Sequence, residues 1–486
     1  MRSFRATPGL FAALATVACA TLFSFRLGEQ SLCLDELFSF AFVREPWPVF
    51  FRILELREAN MSLYFVLLKG WARFGDGEAM LRVPSVLFAV ASVPALFLLG
   101  RRLVGERSAA VACWLLALSG FLFRHAREAR GYSLVVLLLI LAALALARAA
   151  SQEGRNGDLA AFVLLSALAA WAHAYALLAT AGQLLALAIR REERLPFPVV
   201  AGCAAGWLLL VSPLCAFLVF RDVGQIDWLR SPFPWGVAEL LKALSGRNKA
   251  LIPLYLALVP LGVLALRKFP DKPPGGPFAA LLLSAWLVFP PLVSFSVSVL
   301  KPVFYKRYLI VVLPPFLLLA ARGLEAVPRP DWRRAAAVTL AALTLAAIPG
   351  HFRIPSDGFR EAISHVFERA RPGDGIFFHG FYGVLGLSYY RNRLSMHSGG
   401  VPETAYPDQF GILDYAAWRV PSPDAETASS ALARHPRVWL FLSGWHGHAV
   451  PGSAVLRDLR EAFSRRAVLR EETDFTRVWV LLYERK

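Results

Sequence analysis

The chain has 486 residues, of which 57% are hydrophobic and 18% charged, and its formal net charge is +17. Composition this apolar excludes an ordinary soluble enzyme and indicates a protein built inside a bilayer. The surplus Lys and Arg is spread over short connections between apolar runs and forms no soluble basic domain, which excludes nucleic acid as a partner.

Crossing about 30 Å of hydrocarbon takes roughly 17–25 apolar residues. Such runs lie at 8–27, 84–100, 108–123, 132–149, 159–173, 175–190, 197–220, 250–267, 277–299, 308–322 and 334–349. They predict about 11 transmembrane helices, with the pair at 159–190 open to reading as one broken or re-entrant element. Alternate connections are basic: Arg2 and Arg5; Arg101, Arg102 and Arg107; Arg148 and Arg155; Arg190, Arg191 and Arg194; Arg267, Lys268 and Lys272; Arg329, Arg333 and Arg334. All of them fall on one side of the membrane if the amino terminus is cytoplasmic, as the excess of Lys and Arg in inner loops requires. The first run has the look of a signal peptide ending at Ala18-Cys19-Ala20, but it continues through Phe25 and is expected to be an uncleaved anchor. Of the five cysteines only Cys33 is clearly outside a span, so no intramolecular disulfide framework is implied.

The first outer loop, 28–83, is too long for a connection. Leu37–Val43, Trp47–Leu56 and Leu63–Trp71 read as helices lying in the interface, and Trp228–Leu244 as a later one. Asp35 and Glu36 sit in an apolar stretch just past the first span, where partial desolvation favours a base. They are the candidate catalytic pair. The plainer reading is that Asp35 caps a helix starting at Glu36 and that Glu36 complements its dipole. Glu58, ahead of Asn60-Met61-Ser62-Leu63-Tyr64, is a second acid candidate or simply a solvated glutamate; Glu58, Asn60 and Tyr64 are acceptor-side candidates.

Between two later spans stands Arg127-Glu128-Ala129-Arg130-Gly131-Tyr132-Ser133-Leu134, preceded by Arg124 and His125. Positive charge is disfavoured in outer loops, and arginines that break the rule have something anionic to hold, a lipid phosphate first of all. Arg127 and Arg130, three apart, share one face if the loop is helical and then make a phosphate clamp, with Tyr132 beside them. The competing reading is arginines snorkelling to headgroups. A second basic and aromatic outer loop offers Lys301, Tyr305, Lys306, Arg307 and Tyr308. His173, in Trp171-Ala172-His173-Ala174-Tyr175, is an acceptor-side candidate or a helix-end packing residue. His446 and His448 are too few for a metal site. No metal or other cofactor is required, although an acid pair would suffice to hold a divalent cation through water.

After Pro349 the long apolar runs stop. Gly358–Ala370 reads as an amphipathic helix capped by Asp357 or Ser356, and Pro372-Gly373-Asp374-Gly375 as a turn. Ile376–His379, Val438–Ser443 and Val478–Tyr483 read as strands, with helices near 424–434 and 452–466. The division is a membrane domain, 1–349, and an extracytoplasmic α/β domain, 350–486, with no GxGxxG or Walker-type loop. A carboxylate base, cationic outer loops and interfacial apolar surface together describe a transferase using a lipid-phosphate donor. A transporter or flippase of polyprenyl-linked sugars would use the same basic loops without Asp35, and a ligand sensor would rest on the tail alone.

Several of these segments resemble the GT-C glycosyltransferases, and more narrowly the bacterial relatives of the protein O-mannosyltransferases and of the lipid A aminoarabinose transferase. Leu34-Asp35-Glu36 resembles their first-loop acidic motif, and Arg127 to Leu134 their Gln/Arg-Glu-Ala-Arg-x-Tyr-x-Leu segment. Leu81-Arg82-Val83-Pro84-Ser85, His173 with Tyr175, and Tyr308-Leu309 through Ala321-Arg322-Gly323-Leu324 are similar to further family elements. Met61-Ser62-Leu63-Tyr64 departs from the usual Pro-Pro-Leu-Tyr. The resemblance implies a multi-pass protein of the bacterial cytoplasmic membrane. It would transfer a sugar, with inversion, from a polyprenyl-phosphate carrier to a glycan, lipid or protein acceptor outside. Asp35 would act as base, and Arg127, Arg130, Lys306 and Arg307 would hold the donor phosphate.

Overall fold

Uncharged apolar segments enter hydrocarbon only as structures that satisfy their own backbone, and among the described residues each run read from the sequence is mainly helical. The computed structural model describes residues 7–151, 156–189, 196–221, 228–268, 276–353, 356–380, 382–394, 401–407, 411–416, 423–443 and 454–486. His446 and His448 lie outside the described residues. In chain order the helices begin α1 (Pro8–Ser24), α2 (Leu34–Arg44), α3 (Trp47–Ile53), α4 (Ser62–Trp71), α5 (Glu78–Leu103), α6 (Glu106–Ala117) and α7 (Gly120–Ala126). Next come α8 (Tyr132–Ala149), α9 (Asn156–Ala172), α10 (Ala176–Ile189), α11 (Phe197–Phe220), α12 (Gly236–Leu244), α13 (Leu251–Lys268) and α14 (Gly276–Val297). The last are α15 (Leu313–Glu325), α16 (Pro330–Phe352), α17 (Phe359–Arg369), α18 (Tyr382–Leu394), α19 (Ile412–Ala416), α20 (Ala425–Arg434) and α21 (Ala454–Arg466). A π turn, Leu54–Glu58, follows α3, and a 3-10 turn, Tyr308–Val312, leads into α15.

Among the described residues six helices are long and apolar enough to cross a membrane: α5, α8, α11, α14, α16 and Tyr308–Glu325. They become seven if α6 and α7, bent by 53° at their junction, form one span. The apolar helices α1, α9, α10 and α13 are shorter, so eleven crossings would need these as well. The segment 159–190 is two helices joined at His173-Ala174-Tyr175. Leu209 on α11 is 74% exposed and Val338 on α16 is 68% exposed, apolar surface suited to lipid.

Contacts divide the chain into two compact units, the first Met1–Leu27, Ala59–Leu67 and Arg82–Arg353, the second Gly28–Glu58, Leu68–Leu81 and Ile354–Lys486. Most of the first outer loop thus packs with the C-terminal residues, whereas the sequence division at 349 grouped it with the spans. Within the first unit α8 packs on α9, α10 on α14, α1 on α6 and α13 on α15. The α13–α15 crossing is a backbone-to-backbone approach. A Cβ on Gly262 would overlap the Leu319 carbonyl, and one on Gly323 would overlap the Leu258 carbonyl. Gly262→Leu is therefore expected to destabilise the helical unit by about 3 kcal/mol, because no rotamer change relieves a backbone clash. Thermal unfolding of the purified variant in detergent checks this.

The second unit carries a five-stranded sheet in the order β2-β1-β3-β5-β4. Its strands are β1 (Gly375–His379), β2 (Glu403–Tyr406), β3 (Arg437–Ser443), β4 (Ala467–Phe475) and β5 (Val478–Arg485). β1 runs parallel to β2 and β3, while β5 is antiparallel to β3 and β4. β1 and β3 are buried along their whole length and read as continuous apolar runs, as strands covered on both faces do. Val438, Leu440 and Leu442 join Leu432, Leu459 and Phe463 in one core. Phe441, of opposite parity, stacks on Phe359 of α17 on the other face. β2, β4 and α18 were not expected from the sequence; β4 is an edge strand whose charges, Arg470, Glu471, Glu472 and Asp474, protect an open edge instead of marking a core.

Candidate active site

Residues 127–131 form a tight turn, so the loop is not helical. α7 ends at Ala126, the Arg130 N–H donates to the Glu128 carbonyl at 2.8 Å, and α8 starts at Tyr132. Arg127 and Arg130 consequently do not share a helix face. The Arg127 guanidinium donates to the carbonyls of Phe23 (2.9 Å), Phe25 (2.7 Å) and Arg26 (3.0 Å), and lies 5.0 Å from the Phe123 ring. Carbonyls at a helix end lack intrahelical donors, and Arg127 supplies them for α1. These three hydrogen bonds are spent on architecture and not on a phosphate.

Arg130 takes the other path, its guanidinium 5.5 Å from the Phe65 ring. Its carbonyl accepts from Ser85 Oγ at 3.1 Å, and Ser85 Oγ is 2.8 Å from the Tyr64 hydroxyl. A Cβ at Gly131 would stand 2.6 Å from the Ala172 carbonyl oxygen, so only glycine lets this turn lie against the end of α9. That approach sets His173 beside Tyr132. Their rings are 5.4 Å apart, and His125 stands 5.0 Å from Tyr132 on another side. Tyr308 completes the group, 5.1 Å from His173.

Arg307 sits 5.4 Å from the Tyr132 ring, 5.6 Å from Tyr305 and 5.9 Å from Tyr308. The charges of Arg130 and Arg307 both act on His173, which is buried at 1% exposure. His173 Nδ1 accepts the Tyr175 N–H at 3.2 Å, which puts its proton on Nε2, and Nε2 has no hydrogen-bond partner among the described residues. The loop carrying Arg307 is held from behind: Ser298 Oγ accepts the N–H groups of Val303 (3.0 Å) and Phe304 (2.8 Å), and the Tyr175 hydroxyl donates to the Val303 carbonyl.

Two acids in this unit were not among the sequence candidates. Glu128 lies inside the Arg-Glu-Ala-Arg segment and is 3.2 Å from His125 Nδ1. Burial raises its carboxyl, but His125, Arg307 and Arg124 outweigh burial and hold it at about 2. Glu239 on α12 binds Lys306 at 2.7 Å and also Lys242; those two hydrogen bonds hold its carboxyl at about 2. Lys306 is therefore an ion-pair partner here. No feature of the sequence near Glu239 announced this, because the two residues stand 67 apart.

Glu128 is more acidic folded than unfolded, so its charge stabilises the fold fully above about pH 4.5, and that contribution is lost as the pH falls toward 2. Glu128→Gln is expected to lower the melting temperature at pH 7 and to flatten its decline between those limits. Melting curves of both proteins across that range test it; parallel declines would show that the Glu128 charge does not support the fold.

Asn60 and Tyr64 belong to the wall of this cluster. Asn60 Oδ1 accepts the Ala174 N–H at 2.8 Å, fixing the turn that bears His173, and Tyr64 is fully buried. Met61, between them, has φ +72°, a backbone angle closed to proline, so the departure from Pro-Pro-Leu-Tyr comes with a different chain path.

Asp35, Glu36 and Glu58 belong to the second unit. α2 starts two residues earlier than expected, with Cys33 as N-cap. Asp35 is thus at the second helical position and half-buried, and it is not the cap. Glu36 Oε2 accepts the Cys33 N–H at 3.0 Å, closing a capping box. Glu58 ends the π turn and is buried. Asp357 does not cap α17 either; Gly358 stands at that position and Asp357 is engaged elsewhere. Among the described residues no group of three or more His, Cys, Asp or Glu is arranged to hold a metal ion.

Among solved structures, ArnT from Cupriavidus metallidurans in the apo state is 13% identical over 98% of this chain and 97% of that one, with a TM-score of 0.61. The same protein bound to undecaprenyl phosphate gives 14%, with the same coverage and a TM-score of 0.59. The archaeal oligosaccharyltransferase AglB from Archaeoglobus fulgidus, in complex with an inhibitory peptide and a dolichol-phosphate, is 11% identical, covering 95% of this chain and 73% of that one, with a TM-score of 0.51. The chain shares the fold of these solved structures. Residues 63–217 match the family model described as dolichyl-phosphate-mannose-protein mannosyltransferase. No curated protein matches the chain.

Proposed function

We propose that the protein transfers a sugar from a polyprenyl-phosphate-linked donor to an acceptor on the extracytoplasmic side of the membrane, with inversion. The observation that carries this reading is the cluster of half-buried Arg130 and Arg307 around buried Tyr132 and His173 and half-buried Tyr308. The cations lie where helices end: Arg130 just before α8 and Arg307 just before the turn into α15. A flippase or transporter is expected to place its ionisable residues near the bilayer midplane. Guanidinium groups at a helix-end site instead suit a phosphate at the membrane surface, and His173 Nε2–H adds a buried donor.

In the reaction the acceptor oxygen attacks the anomeric carbon from the face opposite the phosphate. The new C–O bond forms as the bond to the phosphate oxygen breaks, the proton of the acceptor passes to Asp35, and polyprenyl phosphate leaves with the electron pair. Arg130 and Arg307 stabilise the negative charge that grows on it, commonly the largest single term in such catalysis. One displacement inverts the configuration. That ArnT was solved with undecaprenyl phosphate and AglB with a dolichol-phosphate supports a polyprenyl carrier here. The amino terminus is assigned to the cytoplasm on the alternation of basic connections.

The test is transfer of label from a panel of radiolabelled polyprenyl-phosphate sugars by purified protein in lipid, with total membrane extract as acceptor and with or without EDTA. Label moving to an acceptor with anomeric inversion supports the reading. Label that only changes leaflet would favour the flippase, and retention of configuration would exclude single displacement.

A further inference from the structure

The segment before Asp35 has neither helix nor strand to fix it, yet α2 must start at one place for Asp35 to be aimed. Its fixed points come from far along the chain. The Leu34 N–H, at the first position of α2, donates to Asp357 Oδ2 at 3.0 Å, across 323 residues. The Leu32 N–H donates to the Tyr390 hydroxyl at 2.9 Å, and Ser356 Oγ donates to the Ser31 carbonyl at 2.8 Å. Ser31 Oγ in turn donates to the Asp357 carbonyl. Arg360 grips the carbonyls of Glu29 (2.9 Å) and Gly28 (3.2 Å) while paired with Glu78 at 2.6 Å.

Asp357 is 3% exposed, and its other oxygen accepts from Arg477 Nη1 at 3.3 Å. A buried carboxylate is tolerated when such donors surround it. Amides in the first turn of a helix lack intrahelical acceptors, and α2 obtains one of its acceptors from this carboxylate. We propose that Asp357 is a positioning residue which caps α2 from the C-terminal residues and so fixes Asp35, with Tyr390 holding Leu32, two residues before the helix. The C-terminal residues then form part of the catalytic apparatus and are more than a cover or an acceptor platform. The inference rests on the assignment of Asp35 as the base.

The experiment compares full-length wild type, Asp35→Asn, Asp357→Ala, Asp357→Asn and Tyr390→Phe by hydrogen exchange and by turnover of the labelled donor panel. In Asp357→Ala the first-turn amides of α2 are expected to exchange about tenfold faster, as for a lost cap. Its kcat should fall about a hundredfold, the scale of a small misplacement, with the donor KM within about twofold. Asp357→Asn keeps an oxygen for the Leu34 N–H and should recover most of both. Unchanged exchange at α2 in Asp357→Ala and Tyr390→Phe overturns the proposal, as does faster exchange with unchanged kcat. If Asp357→Ala fails to fold, Tyr390→Phe, which removes one hydroxyl, decides by the same readouts. A fully active Asp35→Asn overturns the underlying reading of Asp35, whereas a dead Asp35→Asn beside an unaltered Asp357→Ala overturns the positioning role alone.

Discussion

Asp35→Asn abolishes sugar transfer and leaves donor binding and the melting temperature close to wild type: that is the expected result, with a loss of about a hundred- to ten-thousandfold, the range of a general base. The expectation rests on the division of labour at the start of α2. Had Asp35 been the cap, amidation would be nearly silent, since Asn caps a helix about as well as Asp. The cap is Cys33, the reciprocal bond comes from Glu36, and the first amide of α2 goes to Asp357. Capping thus needs nothing from the Asp35 side chain. The substitution keeps its volume and removes the charge and the basicity. Donor binding measured alongside turnover separates lost chemistry from lost structure, and full activity in Asp35→Asn would remove Asp35 from the reaction.

Arg307→Ala is expected to lower turnover about a hundredfold or more, the scale for removing one preorganised donor from a developing oxyanion, and to weaken donor binding. Arg307 is placed by aromatic rings, Tyr132, Tyr305 and Tyr308, and its loop by Ser298 and Tyr175, so its charge is held in position before any donor arrives. Arg127→Ala supplies the contrast. Three carbonyls at the end of α1 lose their donor, so the loss should appear in thermal stability, with the donor KM of the surviving protein unchanged. If the two variants show the same profile, the separation of Arg127 from the cation cluster is wrong. Both are read from donor titrations and melting curves on the same preparations.

Much of this was legible in the chain. Apolar runs of span length have one stable outcome in hydrocarbon, and among the described residues each is mainly helical. β1, β3 and β5 were visible because a strand covered on both faces is apolar throughout. β4 was not, because an edge strand carries charge for the sake of its edge. Tyr132, His173, Arg130 and Arg307 were named from residue type and place, and the fold brings them into one cluster. Arg127 and Arg130 share no helix face for a local reason: three-residue spacing aligns side chains only on a helix, and residues 127–131 form a turn.

What the sequence determined by itself is therefore local and periodic: membrane helices, the α/β tail, and which residues are chemically able to meet a lipid phosphate or an acceptor hydroxyl. Partnership was decided by the tertiary structure alone. Lys306 finds Glu239, Asn60 finds the turn of His173, and α2 takes its acceptor from Asp357. Hydrogen bonds and ion pairs depend on distances of about 3 Å between residues tens to hundreds apart. Composition and spacing set which groups are present; only the packed chain sets which of them are spent on the fold and which are left for chemistry.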